Sequence, residues 1–402
     1  MLAEFFFDQL ITMGSLAIIG PGGRRHVSGS SSSSPQSVIR LHDRAFGRKL
    51  LLNPKLALGE AYMDGTLTIE EGTLYDFLET LTVNSEIIPR HLLGWSPESL
   101  LRHLWQFNPL GRARANAAHH YDLPFRLYEC FLDRDLQYSC AYFRSPEDDL
   151  DTAQRNKKNH IAAKLCLEPG MRVLDIGSGW GGLALHLASN RGADVTGITL
   201  SAEQAGIARA RAAEAGLSDR VRFHLRDFRE ERGRYDRIVS VGMFEHVGIR
   251  QYRQFFGKIR ELLTPDGIAV LHSIGRADGP GSTNPWIRKY IFPGGYSPAL
   301  SEVLPVVEQA GLWIADIEIL RLHYAWTLST WRQRFQAHRA EFEAHYGERF
   351  CRMWDFYLTG AEISFRHGHN MVWQMQLAGK IDAVPVTRDY LMAELRGDER
   401  KA

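Results

Sequence analysis

A chain of 402 residues, 44% of them hydrophobic and 24% charged, is long enough for two cores and too apolar for a disordered or fibrous protein. Its 48 basic and 47 acidic residues leave a formal charge of +1, which excludes the strongly basic field of a general nucleic-acid binder, so no nucleic-acid partner is expected. The four cysteines, Cys130, Cys140, Cys166 and Cys351, form no CxxC pair, so free thiols in a reducing, cytoplasmic setting are expected and a metal site is not.

In chain order, Phe5 to Ile19 is apolar but carries Asp8, with Glu4 where a basic flank would stand; it reads as the amphipathic start of a fold rather than a signal peptide. No run approaches the roughly 20 apolar residues that span a bilayer, so a lipid substrate would have to be met at the membrane surface. The run SGSSSSSP, Ser28 to Pro35, reads as a flexible loop. Val38 to Leu81 mixes VIRL, LALGEAYMDG and a helical stretch near Leu74 to Leu81, predicting a small α+β unit. Between Arg102 and His120 the chain turns polar and basic, with Asn108, Pro109, Gly111, Arg112 and Arg114, as an exposed linker does. The expected division is therefore 1–115, a small N-terminal domain with linker, and 116–402.

From Met171 short β-branched runs alternate with amphipathic stretches, predicting a parallel sheet covered on both faces: an α/β, Rossmann-like domain. Strands are expected at Arg172 to Ile176, Asp194 to Thr199, Val221 to Leu225, Arg237 to Val241, Ile268 to Ile274 and Leu312 to Leu320. Helices fall at Leu183 to Ser189, Ala202 to Ala215 and Tyr252 to Leu263. The Gly- and Pro-rich stretch Arg276 to Pro298 is long for a connection and reads as an insertion covering a site.

In VLDIGSGWGG the first strand ends at Ile176, and Gly177, Gly179, Gly181 and Gly182 let the backbone approach a nucleotide-like ligand before a helix begins. A lone glycine pattern also serves dinucleotides. Asp175 near the strand end, and a second strand ending in GITLSAEQ without the acid expected for NAD, favour S-adenosylmethionine. Thr199, Ser201 and Gln204 can hydrogen-bond a ribose, and Asp227 can accept from an adenine amino group, while Ser201 is equally placed to cap the next helix. Trp180 either covers the cofactor or closes the helix start. Phe244, Glu245 and His246 follow the fourth strand and His272 lies near the end of the fifth, so all can gather at the carboxyl edge where open α/β sheets hold ligands.

The ordered set YSCAYF, VLDIGSGWGG, GITLSAEQ, VSVGMFEHVG, LHSIG and NPWIRKYIFPGG closely resembles the cyclopropane-fatty-acyl-phospholipid synthases, which include the mycolic acid cyclopropane synthases. The resemblance runs from about Leu51 to the C-terminal region. It implies a small lipid-binding-like N-terminal domain, then a Rossmann-like S-adenosylmethionine-dependent methyltransferase domain with a helical arm and a lid insertion. It implies transfer of a methylene to the cis double bond of unsaturated membrane phospholipid chains, with bound bicarbonate as the base.

By the same resemblance the ion is held by Cys140, Glu245, His272, the backbone of Ile274, and Tyr324. Tyr138, Ser139, Asp175, Gly177, Gly179, Thr199, Leu200, Gln204 and Asp227 surround the cofactor. Phe244, Phe292 and Tyr296 contact the acyl chain. The aromatic rings of Tyr138, Tyr142, Phe244 and Tyr324 could steady cationic groups, each by about 2 kcal/mol when desolvated. Glu245→Gln should weaken bicarbonate binding by removing an acceptor and spare the cofactor. Peripheral contact with the inner membrane surface is expected, with Arg112, Arg114, Arg332 and Arg334 as candidate phosphate contacts, and a homodimer is compatible with the family. Three other readings stay open: a lipid C-methyltransferase making methyl-branched chains, a non-catalytic lipid-binding protein, and a methyltransferase acting on a soluble small molecule.

Overall fold

The computed structural model describes residues 2–30, 36–87 and 125–396. The chain divides into two compact units: Met1–Leu100 with Ser282–Pro293 and Ala325–His369, and Leu101–Gly281 with Gly294–Tyr324 and Asn370–Ala402. The expected boundary at 115/116 lies outside the described residues, as do Arg112 and Arg114. The expected catalytic range 116–402 is interrupted twice, because 282–293 and 325–369 pack with the N-terminal residues.

The first unit begins with the helix Leu2–Leu10, which buries Ala3 and Phe7. The expected amphipathic start is thus a short helix followed, beyond Gly14 at φ 73°, by a strand. Strands β1 (Ser15–Ile19), β2 (Arg25–Gly29), β3 (Ser37–Leu41) and β4 (Leu67–Glu71) form a sheet in the order β2-β1-β3-β4, with β1 and β3 parallel. LALGEAYMDG supplies most of the helix Pro54–Met63, started by the Asn53 cap and proline at its first position. Its Gly59 is required by packing: an added Cβ would stand 2.4 Å from the ring of Trp286, a fully buried residue of the insertion. Tyr62 donates to Asp355 at 3.0 Å and Ile363 joins the same core, which ties the helix Glu348–Arg366 to this unit.

The second unit holds β5 (Arg172–Ile176), β6 (Asp194–Thr199), β7 (Val221–Leu225), β8 (Tyr235–Val241), β9 (Leu263–Arg276), β10 (Trp313–Ile319) and β11 (Asn370–Ala378). Their order is β7-β6-β5-β8-β9-β11-β10, parallel except for β11, which runs antiparallel to both neighbours. The six expected strands are present, three with the expected ends. β11 is the seventh, and it separates β9 from β10. One face of the sheet packs Leu183, Leu187, Ala208 and Ala212 over Val173, Val195 and Val239; the other packs Phe244, Phe255, Phe256 and Val303 over Leu174, Ile238 and Leu271. The order reverses between β5 and β8, so the crevice outside the carboxyl ends of those strands is the natural ligand position.

Candidate active site

A cavity opens at that crevice, within the second unit, and all nine residues expected around the cofactor, from Tyr138 to Asp227, line it. Its floor is the turn after β5, where Gly177, Gly179 and Gly181 take φ of 85°, 54° and 86°. A Cβ on Gly177 would stand 2.8 Å from Met243 Cβ, so the turn can pass the end of β8 only as glycine. The N–H groups of Gly177 and Ser178 both reach Ile198 O, at 2.9 and 3.0 Å, fixing the turn to β6.

The side chains of the wall are largely braced by one another. Thr199 Oγ1 donates to Gln204 Oε1 at 3.0 Å, and Ser201 caps the next helix by accepting from Gln204 N at 3.2 Å. Asp227 receives Arg229 Nε and Nη2, each at 2.7 Å, which leaves its carboxylate paired before any adenine arrives. Trp180 both lines the cavity and packs on Tyr128, ring centres 4.9 Å apart. Three buried atoms in the wall have no hydrogen-bond partner, Asp175 Oδ2, Ser178 Oγ and Gln251 Oε1. Burial pushes Asp175 up to about 7, opposed by the Lys157 charge. A polar turn with positive-φ glycines and three unpartnered acceptors around it fits a ligand bearing hydroxyl and ammonium donors, as S-adenosylmethionine does.

Sequence reasoning passed over what holds the arm. Lys157, fully buried on the helix Leu150–Lys164, donates to Gln137 Oε1 at 2.6 Å and to Ser139 Oγ at 2.9 Å. Gln154 Nε2 donates to Ser139 O at 2.9 Å. Together they clamp the segment carrying Tyr138, Ser139 and Cys140. Burial lowers Lys157 to about 8. The helix reads LDTAQRNKKNHIAAK, polar through most of its length, so its sequence does not mark Gln154 and Lys157 as buried.

The residues expected to hold the ion lie on the arm, in the turn after β8 and on β9. Glu245 sits in the turn after β8 and accepts the Ile274 N–H on Oε1 at 2.6 Å, while its buried Oε2 has no partner. Burial raises its acid to about 7 against the lowering effect of that N–H. Ile274 therefore enters the group through Glu245. His272 lies two residues earlier on β9; burial holds it well below the usual histidine range and thus neutral, and Gln374 Nε2 donates to its Nδ1 at 3.1 Å. Cys140 is buried and donates its thiol to Ala141 O at 3.3 Å. Tyr142 stacks between His160 and His323, at 4.4 and 4.8 Å, which joins the Cys140 arm to the residue preceding Tyr324.

The three expected acyl contacts separate. Phe244 is fully buried in the aromatic core, 4.4 Å from Tyr252 ring to ring, because the turn after β8 directs it inward beneath the helix Tyr252–Leu262. Tyr296 donates to Glu302 Oε2 at 2.6 Å, and its backbone N–H to Glu245 O at 2.9 Å, so it braces the turn that carries Glu245. Phe292 belongs to the first unit, edge-on to Tyr357 at 5.7 Å. Arg332 is paired with Glu362 at 3.0 Å. Among the described residues no cluster could hold a metal ion, and no helix is long and apolar enough to cross a membrane.

The strand order with its reversed seventh strand, and the cavity at its switch point, define a Rossmann-like S-adenosylmethionine-dependent methyltransferase domain. Residues 110–375 match the mycolic acid cyclopropane synthetase family, and residues 17–90 match a family described only as a domain of unknown function. The chain belongs to the first of these families. It is 38% identical over 345 residues to the cyclopropane-fatty-acyl-phospholipid synthase of Escherichia coli K12, covering 86% of this chain and 88% of that one. It is 37% identical over 369 residues to the tuberculostearic acid methyltransferase UfaA1 of Mycobacterium tuberculosis, covering 87% and 85%. The crystal structure of mycolic acid cyclopropane synthase CmaA1, complexed with SAH and CTAB, superposes with a TM-score of 0.63 at 32% identity, over 68% of this chain and 99% of that one.

Proposed function

We propose that the protein adds a methylene to the cis double bond of unsaturated phospholipid chains and closes it into a cyclopropane ring, using S-adenosylmethionine and a bound bicarbonate. When bound, S-adenosylmethionine supplies an electrophilic methyl group and bicarbonate a small proton acceptor. The observation that carries the reading is Glu245: a buried carboxyl, held by Ile274 N–H on one oxygen, with the other oxygen unpartnered beside the cofactor wall. A carboxylate there would repel an anion. Raised to about 7, the acid is protonated in a large share of molecules near neutral pH, and its O–H can donate to an anion from Oε2. The same protonation makes Glu245 a poor nucleophile toward a methyl donor.

The wall residues Tyr138, Thr199 and Gln204 orient the cofactor, and the buried surroundings of Glu245 and His272 exclude water from the reacting end. Identity to UfaA1 nearly equal to that with the Escherichia coli synthase keeps methyl branching as the second reading. Ring and methylene-branched products are isomers, so mass alone cannot separate them. The test is incubation with labelled S-adenosylmethionine and vesicles of cis-unsaturated phospholipid, followed by proton NMR of the lipid. Upfield cyclopropane methylene signals are the expected result; vinylic or methyl-branch signals alone would refute ring closure.

Peripheral membrane contact is assigned to the first unit. Its helices Leu2–Leu10 and Phe46–Leu52 meet at Gly47, where an added Cβ would stand 3.0 Å from Ala3 N. Phe5 and Leu52 are 61% and 87% exposed there, with Leu2, Leu51, Arg44 and Arg48 also exposed. Apolar side chains flanked by cations suit an anionic bilayer surface. Replacing both Phe5 and Leu52 with Ser should weaken binding to anionic vesicles by about thirtyfold, or about 2 kcal/mol of lost apolar burial. Unchanged vesicle binding in co-sedimentation would place the contact elsewhere.

A further inference from the structure

The strand that sequence reasoning missed carries a polar row into the ion group. On β11, Trp373, Met375 and Leu377 pack into the aromatic core, while Gln374 and Gln376 point to the opposite face. That face lies under the helix Leu150–Lys164: Gln376 Nε2 donates to Lys164 O at 2.5 Å. Across the sheet, Glu318 on β10, Gln374 on β11 and His272 on β9 are direct register partners. Glu318 is anchored by His160 Nε2 at 2.6 Å and Lys164 Nζ at 2.5 Å.

Gln374 is fully buried, as is His272 to within 2%. An amide costs free energy to bury without partners, and a valine or leucine would fill a strand position on this sheet without that cost. Its one hydrogen bond with a side chain of known chemistry is the donation from Nε2 to His272 Nδ1 at 3.1 Å. A neutral imidazole carries a single proton, so a ring that accepts at Nδ1 must bear it on Nε2. We infer that Gln374 is a positioning residue of the active site, which locks His272 in the Nε2–H tautomer and so presents an N–H donor to the anion. This rests on the reading of His272 as an anion ligand. The logic is that of the outer partners of metal-bound histidines, whose hydrogen bond to one ring nitrogen decides what the other nitrogen can do.

The test uses full-length protein labelled with 15N-histidine, in which the His272 signals are assigned by their loss in His272→Asn. Two-bond 15N–1H correlations report which ring nitrogen is protonated, without substrate or bicarbonate. The wild type should show protonated Nε2. Gln374→Leu should give a mixture of tautomers, and Gln374→Glu, which can only accept when ionised, should move the proton to Nδ1. Turnover on cis-unsaturated vesicles should fall by about ten- to a hundredfold in both variants, with affinity for S-adenosylmethionine within twofold of wild type, which also shows that the variants are folded. A wild-type ring protonated on Nδ1, or tautomer and turnover both unmoved in Gln374→Glu, would overturn the inference. If the wild type yields no ring product at all, the proposed function fails, and the tautomer measurement still decides the role of Gln374.

Discussion

The cofactor side of the site and its proposed ion side share one sheet edge but are built by different routes. The cofactor side is mainly β5, β6, β7 and the turns that follow them, from Arg172 to Asp227, where backbone groups do much of the positioning and the polar side chains brace near neighbours, with Tyr138 and Ser139 added from the arm. The proposed ion side draws on Cys140 from the arm, Glu245 after β8, His272 and Ile274 from β9, and Gln374 from β11, and its hydrogen bonds Ile274–Glu245 and Gln374–His272 run between different elements. A wall made of backbone is sensitive to where the chain runs and tolerant of most side-chain changes. A group made of side chains is sensitive to protonation. The two sides should therefore fail under different perturbations.

Gly177→Ala is the sharper break on the cofactor side. It places a β-carbon 2.8 Å from Met243 in a residue held at φ 85°, so both strain and overlap oppose it. At about 3 kcal/mol for the two together, affinity for S-adenosylmethionine should fall by about a hundredfold, measured by titration calorimetry. Glu245 in this variant should keep its titration. An unaltered cofactor affinity would mean that the turn does not contact the ligand.

The same contrast decides what could be read from sequence. The glycine turn, its Asp175 and the run GITLSAEQ are contiguous, and their local geometry follows from residue type, so every cofactor residue expected from them falls on one cavity. The ends of β5, β6 and β7 were legible because β-branched runs are bounded by turn residues. β11 was not: NMVWQMQLA follows a helix of 19 residues, its glutamines break the apolar run, and its pairing partners lie far away in sequence. Without β11 the neighbour of His272 could not be named. Phe244 illustrates the opposite loss. Its place next to Glu245 points to the site, but in a tight turn adjacent side chains diverge, and its ring goes to the core while the carboxyl goes to Ile274. The helices that join the first unit, 325–369 and 282–293, are likewise invisible to a reading along the chain, since only packing such as that of Trp286 on Gly59 assigns them.

On the ion side the discriminating variable is pH. Glu245 titrates at about 7 in the folded protein, raised from 4.5 by burial. If its neutral form donates to the anion, bicarbonate affinity at fixed bicarbonate concentration should fall as pH rises through 7, by about tenfold between pH 6 and 8. Glu245→Gln keeps an oxygen for Ile274 N–H and places an N–H donor where the neutral acid carries its O–H. It should therefore retain bicarbonate binding at pH 6 and lose the pH dependence, in contrast to the simple loss expected when Glu245 is treated as an acceptor. Stability gives an independent reading of the same proton. A folded-state value above the unfolded one contributes stability that is fully present below about 4.5 and is lost as pH rises through 7, at most about 3 kcal/mol for this shift. Gln cannot ionise, so the variant should be the more resistant of the two to urea at pH 8 and lose that advantage at pH 5. Asp175 in the cofactor wall is itself pushed up to about 7, so affinity for S-adenosylmethionine can vary over this range, but it should vary alike in the two proteins; a difference between them would put Glu245 in the cofactor wall instead.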